Sequence, residues 1–151
     1  MRVSAKVDYA VRALAELAAA DPGPMKGEAI AAAQGIPQRF LENILGELRR
    51  AGVVASQRGS EGGYWLAVPA QSVTIADVIR AVEGRLADVQ GEPPEDVDFP
   101  GAASPLRDVW VATRATLRSV LEVVTIADVA SGCLPAVVGR LTRPDDAWKS
   151  R

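Results

Sequence analysis

The chain is expected to be mainly α-helical with one small β-hairpin. Three observations predict this. Apolar residues recur at three- and four-residue steps through most segments. Residues that cap or break helices punctuate those segments. One stretch, "VVASQRGSEGGYWLAV" from Val53 to Val68, departs from that period and reads as two short strands around a glycine-rich turn.

Taken in order, Ser4 suits the cap of a first helix, in which Val7, Val11, Leu14 and Ala18 recur at helical spacing. That run stops before "DPGP", Asp21 to Pro24, which is breaker chemistry. A short helix is expected over Glu28–Gln34, with Gly35 just past its end. In "IPQRFLENILGELRRAG" Pro37 suits a first helical position, where its missing N–H costs nothing. Phe40, Leu41, Ile44, Leu45 and Leu48 form one apolar stripe. Gln38, Arg39, Glu42 and Asn43 lie toward the opposite side, near the start of the helix, and Gly52 ends it.

Two helices joined by a short turn, the second with polar first turns, are the outline of a helix-turn-helix. Two amphipathic helices with a solvated face fit the same pattern. The hairpin that follows tips the reading. Val53–Gln57 and Tyr64–Val68 read as its strands, and "RGSEGG" joins them. A hairpin directly after the second helix is the wing of a winged helix-turn-helix, and it gives the glycines and Arg58 a common place.

Further along, Thr74 followed by Asp77 is a capping-box pattern for a helix whose Ile75, Val78, Ile79 and Val82 face the core. The letters TIADV return at Thr125 to Val129, and the two copies are read as independent helix starts. "GEPPEDVDFPGAAS" is acidic and rich in proline, so Arg85–Ala103 reads as a flexible acidic loop. Ser104 is expected to cap a long helix with Pro105 at its first position. Leu106, Val109, Trp110, Thr113, Leu117, Val120, Leu121 and Val124 make a narrow heptad-like seam along it. Such a seam needs a partner, and pairing with its own copy in a homodimer is favoured over packing within one domain. The chain therefore divides into a winged helix-turn-helix domain (1–84), an acidic flexible linker (85–103), a dimerisation helix with the following helix start (104–130) and a polar C-terminal tail (131–151).

Composition narrows the chemistry. The 151 residues include one cysteine, Cys133, and no histidine. That removes internal disulfides, cysteine-rich metal sites, the usual zinc ligand and the usual general base. Cys133 reads as a small buried hydrophobe before it reads as a redox switch. "GSEGG" lacks the Gly-Lys-Ser/Thr ending of a phosphate loop and precedes a strand, so an enzyme is not expected. No stretch is apolar and long enough for a membrane span, and the N-terminus is no signal peptide, so a cytoplasmic protein is expected. The net charge is −2. Its distribution matters more. From Met1 to Ser60 eight basic residues against six acids leave +2, whereas from Glu83 to Asp108 two arginines against seven acids leave −5. The basic N-terminal part can meet a polyanion.

"SAKVDYAVRALAELA", "GIPQRFLENILGELRRAGVVASQRGSEGGYWLA", "TIADVIRAVEG" and "LEVVTIADV" closely resemble the IscR/NsrR/CymR-type (Rrf-two) family of winged-helix transcription regulators. The likeness runs from about Ser4 to Val129. It implies a bacterial homodimer, most often a repressor, bound to a pseudo-palindromic operator in double-stranded DNA. By position, Arg39 and Glu42 look like groove-facing residues of the recognition helix, with Gln38 and Asn43 as neighbours. Arg58, opening the wing beside Gly59 and Ser60, looks like the minor-groove arginine. The chemistry agrees, since Arg pairs with guanine or phosphate, Glu accepts from cytosine N4, and a narrow minor groove attracts arginine. Glu61 is an awkward charge beside phosphate. Many members of the family hold an iron–sulfur cluster on three cysteines between the wing domain and the long helix. Here Arg85 to Trp110 contains no cysteine, so no cluster and no cofactor are expected. The signal is left to a small molecule or to a protein partner. Trp65 and Trp110 are the residues for an effector pocket, and core or interface packing is the plainer reading of each. Cys133 is the residue for a redox signal.

Overall fold

The computed structural model describes residues 3–150. Arg2, counted above in the N-terminal charge balance, lies outside them. The elements in order are α1 (Ala5–Ala19), α2 (Gly27–Gln34), α3 (Gln38–Arg50), β1 (Val54–Gln57), β2 (Gly63–Leu66), α4 (Ile75–Val82), α5 (Leu106–Leu121), α6 (Ile126–Ser131) and α7 (Ala136–Thr142). Short 3-10 turns stand at Ala70–Ser72, Gly101–Ala103 and Asp145–Trp148. The fold is mainly helical with one two-stranded antiparallel hairpin, as the sequence predicts.

α1 is the hub. Ser4 caps it, its hydroxyl accepting from the Val7 N–H at 3.1 Å. Val7, Ala10, Ala13, Leu14 and Leu17 are buried along one stripe. The alanines let neighbouring backbones come close, and α2, α3, α4 and α6 all pack on this helix. Leu41, Ile44, Leu45 and Leu48 of α3 fill the same core with Ile30 of α2, Val54 of β1, and Val78 and Val82 of α4. Lys6 closes one edge: its ammonium donates to the Val82 carbonyl and pairs with Glu47, each at 2.7 Å.

The two TIADV copies meet each other. Thr74 and Thr125 form an antiparallel bridge. The Ile75 N–H donates to the Val124 carbonyl at 3.0 Å, and the Ile126 N–H donates to the Val73 carbonyl at 2.9 Å. Each copy then starts a helix with a complete capping box, Thr74 with Asp77 and Thr125 with Asp128. The copies are therefore helix starts, but they are paired rather than independent. Ile126 is fully buried as a consequence.

Other expectations change at the C-terminal side. Ser104 does not cap the long helix. It has helical dihedrals and ends the 3-10 turn, while Pro105 is the capping residue of α5. The stretch 85–103, expected to be a flexible linker, is pinned by a Val89–Glu92 bridge and by Pro94, one of the largest fully buried side chains. The polar stretch from Gly139 onward reads in the sequence as a frayed tail, but its described residues complete α7 and form a 3-10 turn, and the Trp148 indole donates to the Thr142 carbonyl at 2.7 Å. Cys133 is exposed, not buried, and follows Gly132, whose left-handed backbone ends α6 and leaves the thiol outside the packed helix.

α5 stands apart. Its 16 residues include no buried side chain, and Val109 and Trp110 are 52% and 38% exposed.

Two predictions follow from the paired helix starts. Ile126→Ala removes a buried side chain and is expected to cost about 2–5 kcal/mol in urea unfolding. Asp77 and Asp128 both titrate below the ordinary carboxylate range. Partial burial pushes Asp77 up, but bonds from the Thr74 hydroxyl and N–H and the Arg80 charge outweigh it. The Thr125 N–H and then its hydroxyl hold Asp128 down. A lowered folded pKa stabilises above the unfolded value, near ~4, and that contribution is lost as pH falls through the folded value. Melting temperature followed from pH 7 into the acid range is expected to fall less steeply in Asp77→Asn than in the parent.

Candidate nucleic-acid interface

The turn between α2 and α3 is set by Gly35, whose φ of 62° is left-handed and whose N–H bonds the Ala31 carbonyl. The Ile36 N–H bonds the same carbonyl at 3.0 Å, and Ile36 is buried. Pro37 sits one place earlier than expected, as the N-cap of α3, with its carbonyl accepting from Phe40 and Leu41. Phe40 departs from the expected stripe. It is 43% exposed and meets Tyr9 edge-on with 5.8 Å between ring centres. Arg12 lies over the Tyr9 ring and binds Gln34 and Asp8, so α1 fixes the entry to α3 from the side.

With the apolar stripe of α3 buried, Gln38, Arg39, Glu42 and Asn43 are all exposed. Gln38 donates to Glu42 at 3.3 Å. Arg49, one residue from the end of α3, donates to Ser56 of β1 at 3.1 Å and ties helix to hairpin. Among the described residues Arg39, Arg50 and Arg58 hold no carboxylate partner.

The hairpin pairs Val54 with Leu66, Ala55 with Trp65, Ser56 with Tyr64 and Gln57 with Gly63. Tyr64 and Leu66 pack against the core. Trp65 is half-buried on the alternate face of the strand. Arg58, Gly59, Ser60 and Glu61 are exposed at the tip, and Gly62 closes the turn with its N–H on the Gly59 carbonyl at 3.1 Å. The two following glycines answer to backbone contacts. A Cβ on Gly62 would stand 2.1 Å from the Gln57 carbonyl oxygen, and one on Gly63 would stand 2.6 Å from that of Met25. They leave no room for a side chain.

Two residues that sequence reasoning missed hold the wing in place. Met25 and Tyr64 exchange both backbone hydrogen bonds, each 2.8 Å, as an isolated bridge. Lys26 donates to the Gly59 carbonyl at 2.7 Å. A one-residue bridge leaves no periodicity in a sequence, so only the breaker "DPGP" before it was visible.

The residues named for an effector do not gather. Trp110 lines a cleft with Ala87, Asp88, Val89 and Thr113, and Trp65 is not in that lining.

The model of the Rrf2 family, described as "Iron-dependent Transcriptional regulator", matches residues 3–132. The chain is 51% identical over 142 residues to Rv1287 of Mycobacterium tuberculosis, which bears the name of an HTH-type transcriptional regulator; 93% of this chain and 88% of that one are covered. It is 32% identical over 132 residues to the HTH-type transcriptional regulator CymR of Bacillus subtilis, covering 87% and 91% of the two chains. Among solved structures it is similar to CymR, the global cysteine regulator of B. subtilis, with a TM-score of 0.74 and 30% identity over 87% of this chain and 98% of that one. It is also similar to IscR of T. potens, with a TM-score of 0.72 and 29% identity over 100% and 93%. The iron in the family description finds no fitting donor set here. The sequence has one thiol and no imidazole. Among the described residues no three His, Cys, Asp or Glu gather where they could hold an ion. An iron–sulfur cluster needs several thiolate or imidazole ligands.

Gly62→Ala is expected to destabilise the hairpin by about 1–3 kcal/mol, because the carbonyl it meets is backbone and has nowhere to go. Amide exchange of Tyr64 and Leu66, measured by NMR, is expected to speed up while the amides of α1 keep their protection.

Proposed function

The chain belongs to the Rrf2 family of DNA-binding transcriptional regulators, and on that premise we propose that it is a homodimeric repressor of a pseudo-palindromic operator, working without an iron–sulfur cluster. The observation that carries this reading is a pair of exposed arginines without carboxylate partners among the described residues, Arg39 on the polar start of α3 and Arg58 at the wing. An arginine without an internal carboxylate has no ion pair to break before it meets a base edge or phosphate. Arg39 and Glu42 read bases in the major groove, and Gln38 and Asn43 stand beside them. Arg58 enters the minor groove, with Gly59 and Ser60 keeping the wing tip slim.

The bare face of α5 supports the homodimer. A 16-residue helix with no buried side chain and an exposed tryptophan has its apolar seam still to cover. Two copies of the chain also match the two-fold symmetry of a palindromic site. The relatives named above are transcription regulators, and the chain offers no histidine base and no paired nucleophile, so no enzymatic step enters this reading. No helix among the described residues is long and apolar enough to cross a membrane. The signal that releases the operator is a small molecule or a protein partner.

Fluorescence polarisation on the inverted repeat upstream of the chain's own gene tests the reading. Arg39→Ala is expected to lose about 1–3 kcal/mol of specific affinity and to relax preference at one base step. Arg58→Ala is expected to weaken binding across sequences and to reduce the salt slope by about one. Sequence-independent binding by the folded parent protein would sink the proposal. Sedimentation is expected to give a dimer, and Val109→Asp to shift it toward monomer.

A further inference from the structure

A cleft bounded by α4, α5 and the loop between them is rich in arginine and lies outside the proposed recognition helix and wing. Arg80 of α4, Arg114 and Arg118 of α5, and Arg85 of the loop all line it, with Asp88 and Glu95 as the only acids in the lining. Its volume is about 590 Å³, within the size of pockets that hold small molecules. Like charges held this close repel unless counter-charges answer them.

The answer given by the chain itself is incomplete. Arg80 and Arg118 share a single carboxylate oxygen, Oε1 of Glu122. Arg80 also meets Asp77, at 3.2 Å. Arg118 uses only its Nε, so its two outer amino groups have no partner among the described residues. Arg85 makes no ion pair within 4.0 Å among the described residues, and its charge reaches Glu95 only at longer range. Arg114 is the more enclosed guanidinium, its side chain 20% exposed against 44% for Arg80 and 51% for Arg118. It is held at 2.6 Å by Glu95, a loop carboxylate with half its side chain in solvent. The hydrogen bond from Arg114 holds Glu95 below the usual carboxylate range. Glu95 thus places a carboxylate oxygen where an anion from outside would bind.

We propose that this cleft binds a small polyanion, a metabolite bearing two or more phosphate or carboxylate groups, which displaces Glu95 from Arg114 and bridges α4 to α5. A planar guanidinium fork recognises such oxygens two at a time. The inference rests on the regulator reading, to which it adds the class of the effector. Arg80 belongs to the DNA-binding body, whereas Arg114 and Arg118 belong to the long helix, so a bridging anion favours one arrangement of the two.

Isothermal calorimetry of the full chain without DNA tests this, with pyrophosphate and citrate as separate probes and sodium chloride at matched ionic strength as the blank. One saturable site per chain is expected. Arg114→Gln and Arg118→Gln are each expected to weaken it by about tenfold or more, the loss of one charged hydrogen bond. Glu95→Gln is expected to tighten it, since the competing charge is gone. A preference for pyrophosphate assigns a phosphate ligand and a preference for citrate a carboxylate; both support the proposal. The absence of saturable heat with either probe overturns it, and so does a Glu95→Gln protein that binds no more tightly. That variant keeps the test decisive if an arginine variant fails to fold. Arginine variants that lose operator affinity and salt slope without any added anion would give the cleft to the DNA backbone, and would also overturn the proposal. Because the calorimetry contains no DNA, its failure leaves the operator reading standing, and loss of operator binding leaves the heats unchanged.

Discussion

Two backbone hydrogen bonds between the TIADV copies govern where the rest of the chain can go. They join Val73–Ile75 to Val124–Ile126, segments 51 residues apart in the chain. The chain leaves the winged unit after α4, runs out through a loop and along α5, and must return to this bridge. The paired capping boxes then satisfy the N–H groups at both helix starts. Neither α4 nor α6 is long enough to be stable alone, at eight and six residues. Each is set by the cap it carries and by the packing that the bridge imposes.

The wing is constrained in a similar way, by backbone more than by side chain. Its strands are four residues each, below what an isolated hairpin sustains. The Met25 bridge adds a third pairing, Lys26 closes over Gly59, and Arg49 reaches Ser56 from the end of α3. The hairpin that presents Arg58 is therefore held from two places, the segment just before α2 and the end of α3. The glycines serve the close approach of Gln57 and Met25, which is why two stand side by side.

Much of this was legible in the sequence. The apolar period placed α1, α3 and α4, since one face of each packs on the core and the spacing records it. Ser4 and the Thr74–Asp77 pair marked helix starts because their side chains bond backbone within three residues. What escaped notice was non-local. The TIADV pairing depends on residues far apart in the chain, and a repeated pentapeptide does not say that its copies touch. Met25 works through backbone groups that every residue has. Ser104 lost its expected role to Pro105 because the 3-10 turn before it already has helical dihedrals. Phe40 left its stripe to meet Tyr9 of another helix. At the candidate interface, exposure of Gln38, Arg39, Glu42 and Asn43 followed from burying the opposite stripe. The effector residues did not follow, since Trp65 and Trp110 lie on separate elements that nothing in the sequence relates.

The bridge also makes α5 a lever. Sixteen residues at 1.5 Å each give an arm of about 24 Å, and its near end stops four residues before Thr125. A tilt of about 5° at that fulcrum carries the far end through about 2 Å. In the homodimer proposed above, a change of that size in each arm becomes a change in the distance between the two α3 helices. On that proposal the helical repeat of the operator DNA is the fixed ruler for the distance. A small rearrangement near Arg80 and Glu122, which join α4 to the near end of the arm, is then read out as spacing.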